Sequence, residues 1–204
     1  MSVRVGRRPG RPLGGQHVVD RDVVLDAAER VIRRDGSGVS LEAIAIEAGV
    51  TKPVVYARVG GRSEMANALA ERLSDRMVAA GGEALSTSTD EQSMVAAMIK
   101  SNLITVAEHR ELFLYVTGGT ADESPLQKLY LAERSATPLA AQLAAWRAQQ
   151  GFATNVAVPW AYAVIGMLQM ASLWWLTAAD QTVDELAEQL SELLWSGLAG
   201  PRER

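Results

Sequence analysis

Between Ser40 and Val59 the chain places two helices and the turn between them, and that spacing leaves few folds open. Ser40 reads as an N-cap with Glu42 in the first turn, Leu41, Ile44, Ala45 and Ala48 recur at helical spacing, and Gly49 ends the run. Thr51 then caps a second helix in which Pro53 sits early, where its missing N–H costs nothing, and Val55 and Val59 share a face before Gly60-Gly61. Two short helices joined through Ala48-Gly49-Val50-Thr51 fit a helix-turn-helix unit. Upstream, Asp20 caps a helix carrying Val24, Ala27, Ala28, Val31 and Ile32, with Gly36 as its stop. The chain has no cysteine, so packing must hold these helices together.

Downstream the pattern stays helical. Ser63 opens a helix with Met65, Leu69, Leu73 and Met77, a connector that Gly81-Gly82 is expected to close. Further helices are expected over roughly 90–107, 109–116 and 125–150, the last interrupted at Thr137-Pro138. No strand pattern occurs, which predicts an all-α fold: a basic arm over 1–19, a DNA-binding unit over 20–62, a connecting helix over 63–82 and a helical body over 83–204. From Ala148 to Ala179 no side chain is charged, enough for a bilayer span of about 20 residues. Asn155, Pro159, Gln169 and Ser172, the lack of Lys or Arg at the far end and the acidic helix that follows argue against a membrane. An apolar helix outside a membrane is buried, here under a second molecule. The last helix offers a seam of Val183, Leu186, Leu190, Leu193 and Gly197, between Asp184, Glu185, Glu188 and Glu192. Two such helices from each of two chains would form a four-helix bundle, a homodimer; packing of the same seam within one chain is the alternative.

Charge divides the chain. Residues 1–62 hold eleven Lys and Arg against seven acids, while the remainder is acidic enough to bring the net charge to -4. A basic N-terminal third suggests a polyanion such as double-stranded DNA, and the acidic body a part that stays clear of it. The N-terminus has arginines but no apolar stretch after them, so the expected location is cytoplasmic. His17 and His109 are far apart and cysteine is absent, which leaves no local metal ligand set. Nor is there a P-loop, a dinucleotide-binding glycine pattern or a serine placed beside His109, so neither a cofactor nor an enzyme is indicated.

The D-G that ends the first helix, followed by S-L-E-A-I-A-I-E-A-G-V-T-K-P-V-V-Y-A-R-V-G-G-R-S-E-M, resembles the DNA-binding domain of the TetR family of bacterial transcriptional regulators. The resemblance covers about 20–70 and is specific in I-A-x-x-A-G-V-T-x-x-x-V-Y; beyond it, only the succession of helices agrees. By position it implies that Thr51 and Tyr56 touch phosphate and that Lys52, Pro53 and Val54 face bases. Lysine can bond a guanine edge and a valine methyl can meet the thymine methyl. The family usually has histidine where Arg58 stands, an aromatic where Val59 stands and lysine where Arg62 stands; Arg58 and Arg62 keep the phosphate chemistry, whereas Val59 loses ring volume. The resemblance also implies a homodimer, a C-terminal domain that binds a small-molecule effector, and release from an operator on binding it.

Ahead of this domain, Gly10-Arg11-Pro12 matches only part of a minor-groove hook. Arg7, Arg8 and Arg11 are candidates to follow the minor groove or backbone, against the alternative of a solvated tail. In the body, large flexible apolar residues are candidates to line an effector pocket. They are Met94, Met98 and Leu103, then Phe113, Tyr115 and Tyr130, then Trp146, Phe152 and Trp160, and finally Met167, Met170 and Trp174, with Gln169 as the orienting polar group. The expected function is therefore a ligand-responsive regulator, a repressor. A helical ligand-binding dimer without specific DNA binding and a non-specific DNA-binding protein remain the alternatives.

Overall fold

The computed structural model describes residues 20–86, 88–118 and 125–196, with the side chains of 85 and 125–131 outside the description. Among the described residues there are nine helices and no strand: α1 (Arg21–Asp35), α2 (Leu41–Glu47), α3 (Lys52–Arg58), α4 (Arg62–Ser86), α5 (Glu91–Glu108), α6 (Arg110–Thr117), α7 (Pro125–Gln149), α8 (Ala157–Ala178) and α9 (Val183–Ser196). The arm, with Arg7, Arg8 and Arg11, and Gly197 lie outside the described residues.

Local chemistry accounts for the first boundaries. The Asp20 carboxylate accepts from the Arg21 N–H (2.6 Å) at the start of α1, and the Ser40 hydroxyl accepts from the Ala43 N–H (3.2 Å) at the start of α2. The end of α2 is a Schellman turn: the Val50 N–H reaches the Ala45 carbonyl (2.9 Å) and the Gly49 N–H the Ile46 carbonyl (3.1 Å). Gly49 makes this possible at φ +67°, so α3 starts within a few residues of the end of α2. His109 occupies the junction between α5 and α6.

Two expected breaks do not occur. Helix α4 continues through Gly81-Gly82 to Ser86, with α5 packed along it. Packing here outweighs the glycines' low helix propensity. Helix α7 likewise runs through Pro138, which is exposed. Its opposite face buries Ala136 and Ala140 against Ala161 of α8, and the Thr137 hydroxyl donates to the Glu133 carbonyl (2.8 Å).

The core has three parts. The first joins α1, α2, α3 and the first half of α4 to Val106 of α5 and to Leu112, Phe113, Tyr115 and Val116 of α6. The second lies among α5, α8 and α9, and the third fills the α7–α8 hairpin. Charges brace the first part from outside: Arg72 on α4 pairs with Asp22 (2.8 Å), Asp26 (2.6 Å) and Glu29 (3.3 Å) on α1, and Arg76 pairs with Glu29 (2.7 Å). Helix α6 thus belongs by sequence to the acidic body and by packing to the N-terminal unit as well.

Candidate functional site

Helix α3 is held by one side and presents the other. Val55 and Val59 are buried, Val54 is partly buried, and Thr51, Lys52, Pro53, Tyr56 and Arg58 are exposed, Tyr56 at 49%. An apolar stripe of β-branched residues anchors the helix, so the opposite face is free for a groove of DNA. The Thr51 side chain makes no capping bond within the helix. Lys52 and Arg58 enter no ion pair among the described residues, whereas Arg30 and Arg34 are committed to Glu47 (both 3.0 Å). Hydrogen bonds from Arg30 and then Arg34 hold the Glu47 carboxyl below the usual carboxylate range. Residues 20–62 balance seven Lys and Arg against seven acids, and α3 keeps two of those cations, Lys52 and Arg58, exposed and outside any ion pair among the described residues.

Arg62 stands apart from this surface. Its guanidinium turns inward, donating to the carbonyls of Val39 (2.9 Å) and Ser37 (3.2 Å) and lying over the Tyr115 ring, 5.0 Å from its centre. The geometry does not present it with Lys52, Tyr56 and Arg58. The carbonyls and the ring satisfy it because the Gly60-Gly61 turn aims the first residue of α4 at the α1–α2 loop.

A half-open cleft of about 60 Å³ lies among α4, α5, α6, α7 and α8. Leu73, Met77, Phe113, Val116, Ile165 and Leu168 supply its apolar wall, and Ser74, Asn102, Thr117, Ser135, Gln169 and Ser172 its polar groups. The described lining carries no charged side chain. Ser172 is 1% exposed and its hydroxyl has no hydrogen-bond partner among the described residues.

Of the candidates for a pocket, Phe113 and Gln169 line this cleft. Leu103 is core, Met98 is partly buried outside the cleft, Met167 packs on the second core, and Tyr115 lies under Arg62. Tyr130 is outside the described side chains. Met94, Met170 and Trp174 are exposed. Trp146, Phe152 and Trp160 are exposed near the α7–α8 turn. There Arg147 lies over the rings of Trp160 (4.7 Å) and Phe152 (5.3 Å), and the Trp146 indole donates to Glu91 (3.0 Å). Side-chain size selected these residues, but size does not say which helix face points inward. The missed lining residues carry a different signal, single small polar groups such as Asn102, Ser135 and Ser172 on otherwise apolar faces.

The seam on α9 also lies elsewhere than expected. Leu186 is 2% exposed and packs with Leu190 on Ile99 and Leu103 of α5 within the same chain; Val183 is partly buried there, and Leu193 is exposed. What remains open is a stripe on α8, Trp160, Ala163, Met170 and Trp174, with Leu194 and Trp195 of α9. By length and composition α8 could cross a membrane, but its other side is packed through Ala161, Leu168 and Ser172.

Comparison with known proteins agrees with this architecture. The family described as "Tetracyclin repressor-like, C-terminal domain" matches residues 82–204. An uncharacterised HTH-type transcriptional regulator of Mycobacterium tuberculosis is 30% identical over 192 residues, covering 91% of this chain and 80% of that protein. In fold, the chain is similar to Thermus thermophilus FadR, a repressor crystallised with lauroyl-CoA, at TM-score 0.71 and 17% identity over 90% of this chain and 97% of that one. It is also similar to the fatty acid degradation regulator FadR of Bacillus halodurans, at TM-score 0.68 and 19% identity over 94% and 100%. The helix-turn-helix, the all-helical architecture of the described residues and the family match converge: the chain belongs to the TetR family of transcriptional regulators.

Proposed function

We propose that the protein is a homodimeric repressor of a pseudo-palindromic operator, released when an uncharged, largely apolar effector enters the cleft among α4–α8. The observation that carries this reading is the double membership of α6. Phe113 and Val116 wall the cleft and also belong to the core that holds α1–α3. An effector that displaces α6 acts on the helix-turn-helix without any long relay. It must bind the DNA-incompetent state better, and moving the population from 99:1 to 1:99 takes about 5.5 kcal/mol of differential binding.

The cleft's chemistry supports the ligand class. Apolar walls favour a hydrocarbon body, and the unpartnered Ser172 hydroxyl beside Gln169 favours one neutral polar group. Burying an anion against an uncharged lining carries a heavy desolvation cost. The FadR structures from Thermus thermophilus and Bacillus subtilis hold lauroyl-CoA and stearoyl-CoA, so related folds accept acyl chains. A second copy of the chain covers the α8–α9 stripe, which fits a cytoplasmic regulator and brings two α3 helices to major-groove faces about 34–36 Å apart.

Fluorescence anisotropy tests the reading, using duplex from upstream of the protein's own gene beside a scrambled duplex at two salt concentrations. Preference for the native duplex that survives higher salt is expected. Equal, salt-sensitive binding to both would leave a non-specific DNA-binding protein. Titrating the complex with 1-dodecanol and with dodecanoate then separates ligand classes: the alcohol is expected to release DNA at lower concentration, and Ser172→Ala to weaken its effect about fivefold.

A further inference from the structure

We propose that Arg62 is a positioning residue for DNA binding, the joint by which α6 of the C-terminal domain holds the α1–α2 loop beneath the helix-turn-helix, and not a phosphate ligand. Its guanidinium is engaged on two edges and one face. The edges donate to the carbonyls of Ser37 (3.2 Å) and Val39 (2.9 Å), and the face lies 5.0 Å from the centre of the buried Tyr115 ring. To reach a phosphate the side chain would have to abandon all three.

The partners are well placed for such a joint. Ser37 and Val39 lie in the loop that ends at Ser40, the N-cap of α2, and α2 carries α3 through the Gly49 turn. Tyr115 belongs to α6 between Phe113 and Val116, which wall the cleft. Arg62 is itself aimed by the turn before it: Gly60 sits at φ +98°, and the Glu64 carboxylate accepts from the Gly61 N–H (2.9 Å). A single side chain therefore bridges the cleft wall and the start of the DNA-reading unit. Only a planar guanidinium supplies both the fork and the stacking face, which a lysine ammonium lacks. Transmission of effector binding through this joint rests on the cleft reading above; the positioning role does not.

The test uses the full chain and the operator duplex, with the slope of log affinity against log salt as the readout that separates positioning from phosphate contact. Arg62→Gln is expected to lower operator affinity about tenfold with the slope unchanged, whereas a phosphate ligand would flatten it by about one unit. Arg62→Lys, which keeps the charge, should lose as much as Arg62→Gln. Tyr115→Leu should reproduce the loss, Tyr115→Phe should stay within about twofold of wild type, and Arg62→Gln with Tyr115→Leu should lose no more than either alone. A flattened slope with rescue by Arg62→Lys would overturn the proposal, as would unchanged affinity in Arg62→Gln. Thermal melts of wild type, Arg62→Gln, Tyr115→Leu and the double variant form a second cycle that needs no DNA: additive melting shifts would show that the two side chains are uncoupled and sink the joint. Wild-type protein without preference for the operator would instead sink the sequence-specific reading, with the melting cycle still deciding Arg62.

Discussion

Lys52 and Arg58 share one short helix and both are exposed, Lys52 at its start beside Pro53 and Arg58 at its end. In the proposed docking Lys52 would reach base edges and Arg58 the phosphate backbone. Lys52→Ala should relax sequence preference among operator variants, while Arg58→Ala should weaken all duplexes alike and flatten the salt slope by about one unit, both read by anisotropy. Equal effects on specificity would mean that another face of α3 enters the groove. Gly60 is a second residue-scale case. At φ +98° an added Cβ would sit 2.7 Å from the Glu64 Cβ, so Gly60→Ala should lower stability by more than about 1 kcal/mol, measured by denaturant unfolding. The α3 residues are legible in the sequence because caps, proline and glycine act within a few positions. The fate of Arg62 is not, because Tyr115 is remote in sequence and the two meet only when α6 packs on the N-terminal unit.

Elements show the same division between local and distant causes. Helices α1, α2 and α3 begin and end at the expected positions, with side-chain caps from Asp20 and Ser40 but none from Thr51. Helices α4 and α7 run past Gly81-Gly82 and Pro138 because neighbouring helices hold them. Gly82 has nothing within 4 Å of an added Cβ, so Gly82→Ala should stabilise the protein by about 0.5–1 kcal/mol, visible as a higher melting temperature. A loss would show that α4 needs its flexibility in the folded state. The contact between α1 and α2 carries a pH dependence. Arg30 and then Arg34 depress the Glu47 pKa by hydrogen bonding, so the stability from this exposed cluster is fully present above the unfolded carboxylate value of about 4.3 and is lost as pH falls through the lower folded value. Melting temperature should be level from about pH 7 to 5 and fall below about 4, and Glu47→Gln should remove part of that acid slope. An unchanged slope in the variant would assign the acid loss to other carboxylates.

For the whole molecule, the question is which apolar surface belongs to the chain's own core and which the proposed dimer would cover. Helix α9 shows a seam in its sequence, and any seam must be covered. Ile99 and Leu103 of α5 cover it from within, leaving Met170 (65% exposed) and Trp174 (50%) of α8 open. Met170→Glu with Trp174→Glu should therefore give folded monomers in sedimentation velocity and weaken operator binding. Leu186→Glu should unfold the chain instead, because it forces a charge into the core at a cost of several kcal/mol. Dimers that persist in the α8 double variant would place the interface elsewhere.

The sequence by itself determined the all-α class and the helix-turn-helix over Ser40–Val59, because helical periodicity and capping are short-range properties that a linear reading captures; the family was legible only through the resemblance of I-A-x-x-A-G-V-T-x-x-x-V-Y. Only the tertiary structure decided that α6 joins the N-terminal core, that Arg62 faces Tyr115, that α9 packs inward, and that the cleft is lined by Ser74, Asn102, Ser135 and Ser172 rather than by the largest side chains. The physical reason is rotational. Periodicity shows that a helix has an apolar face, but which neighbour covers that face depends on how all the helices fill space together.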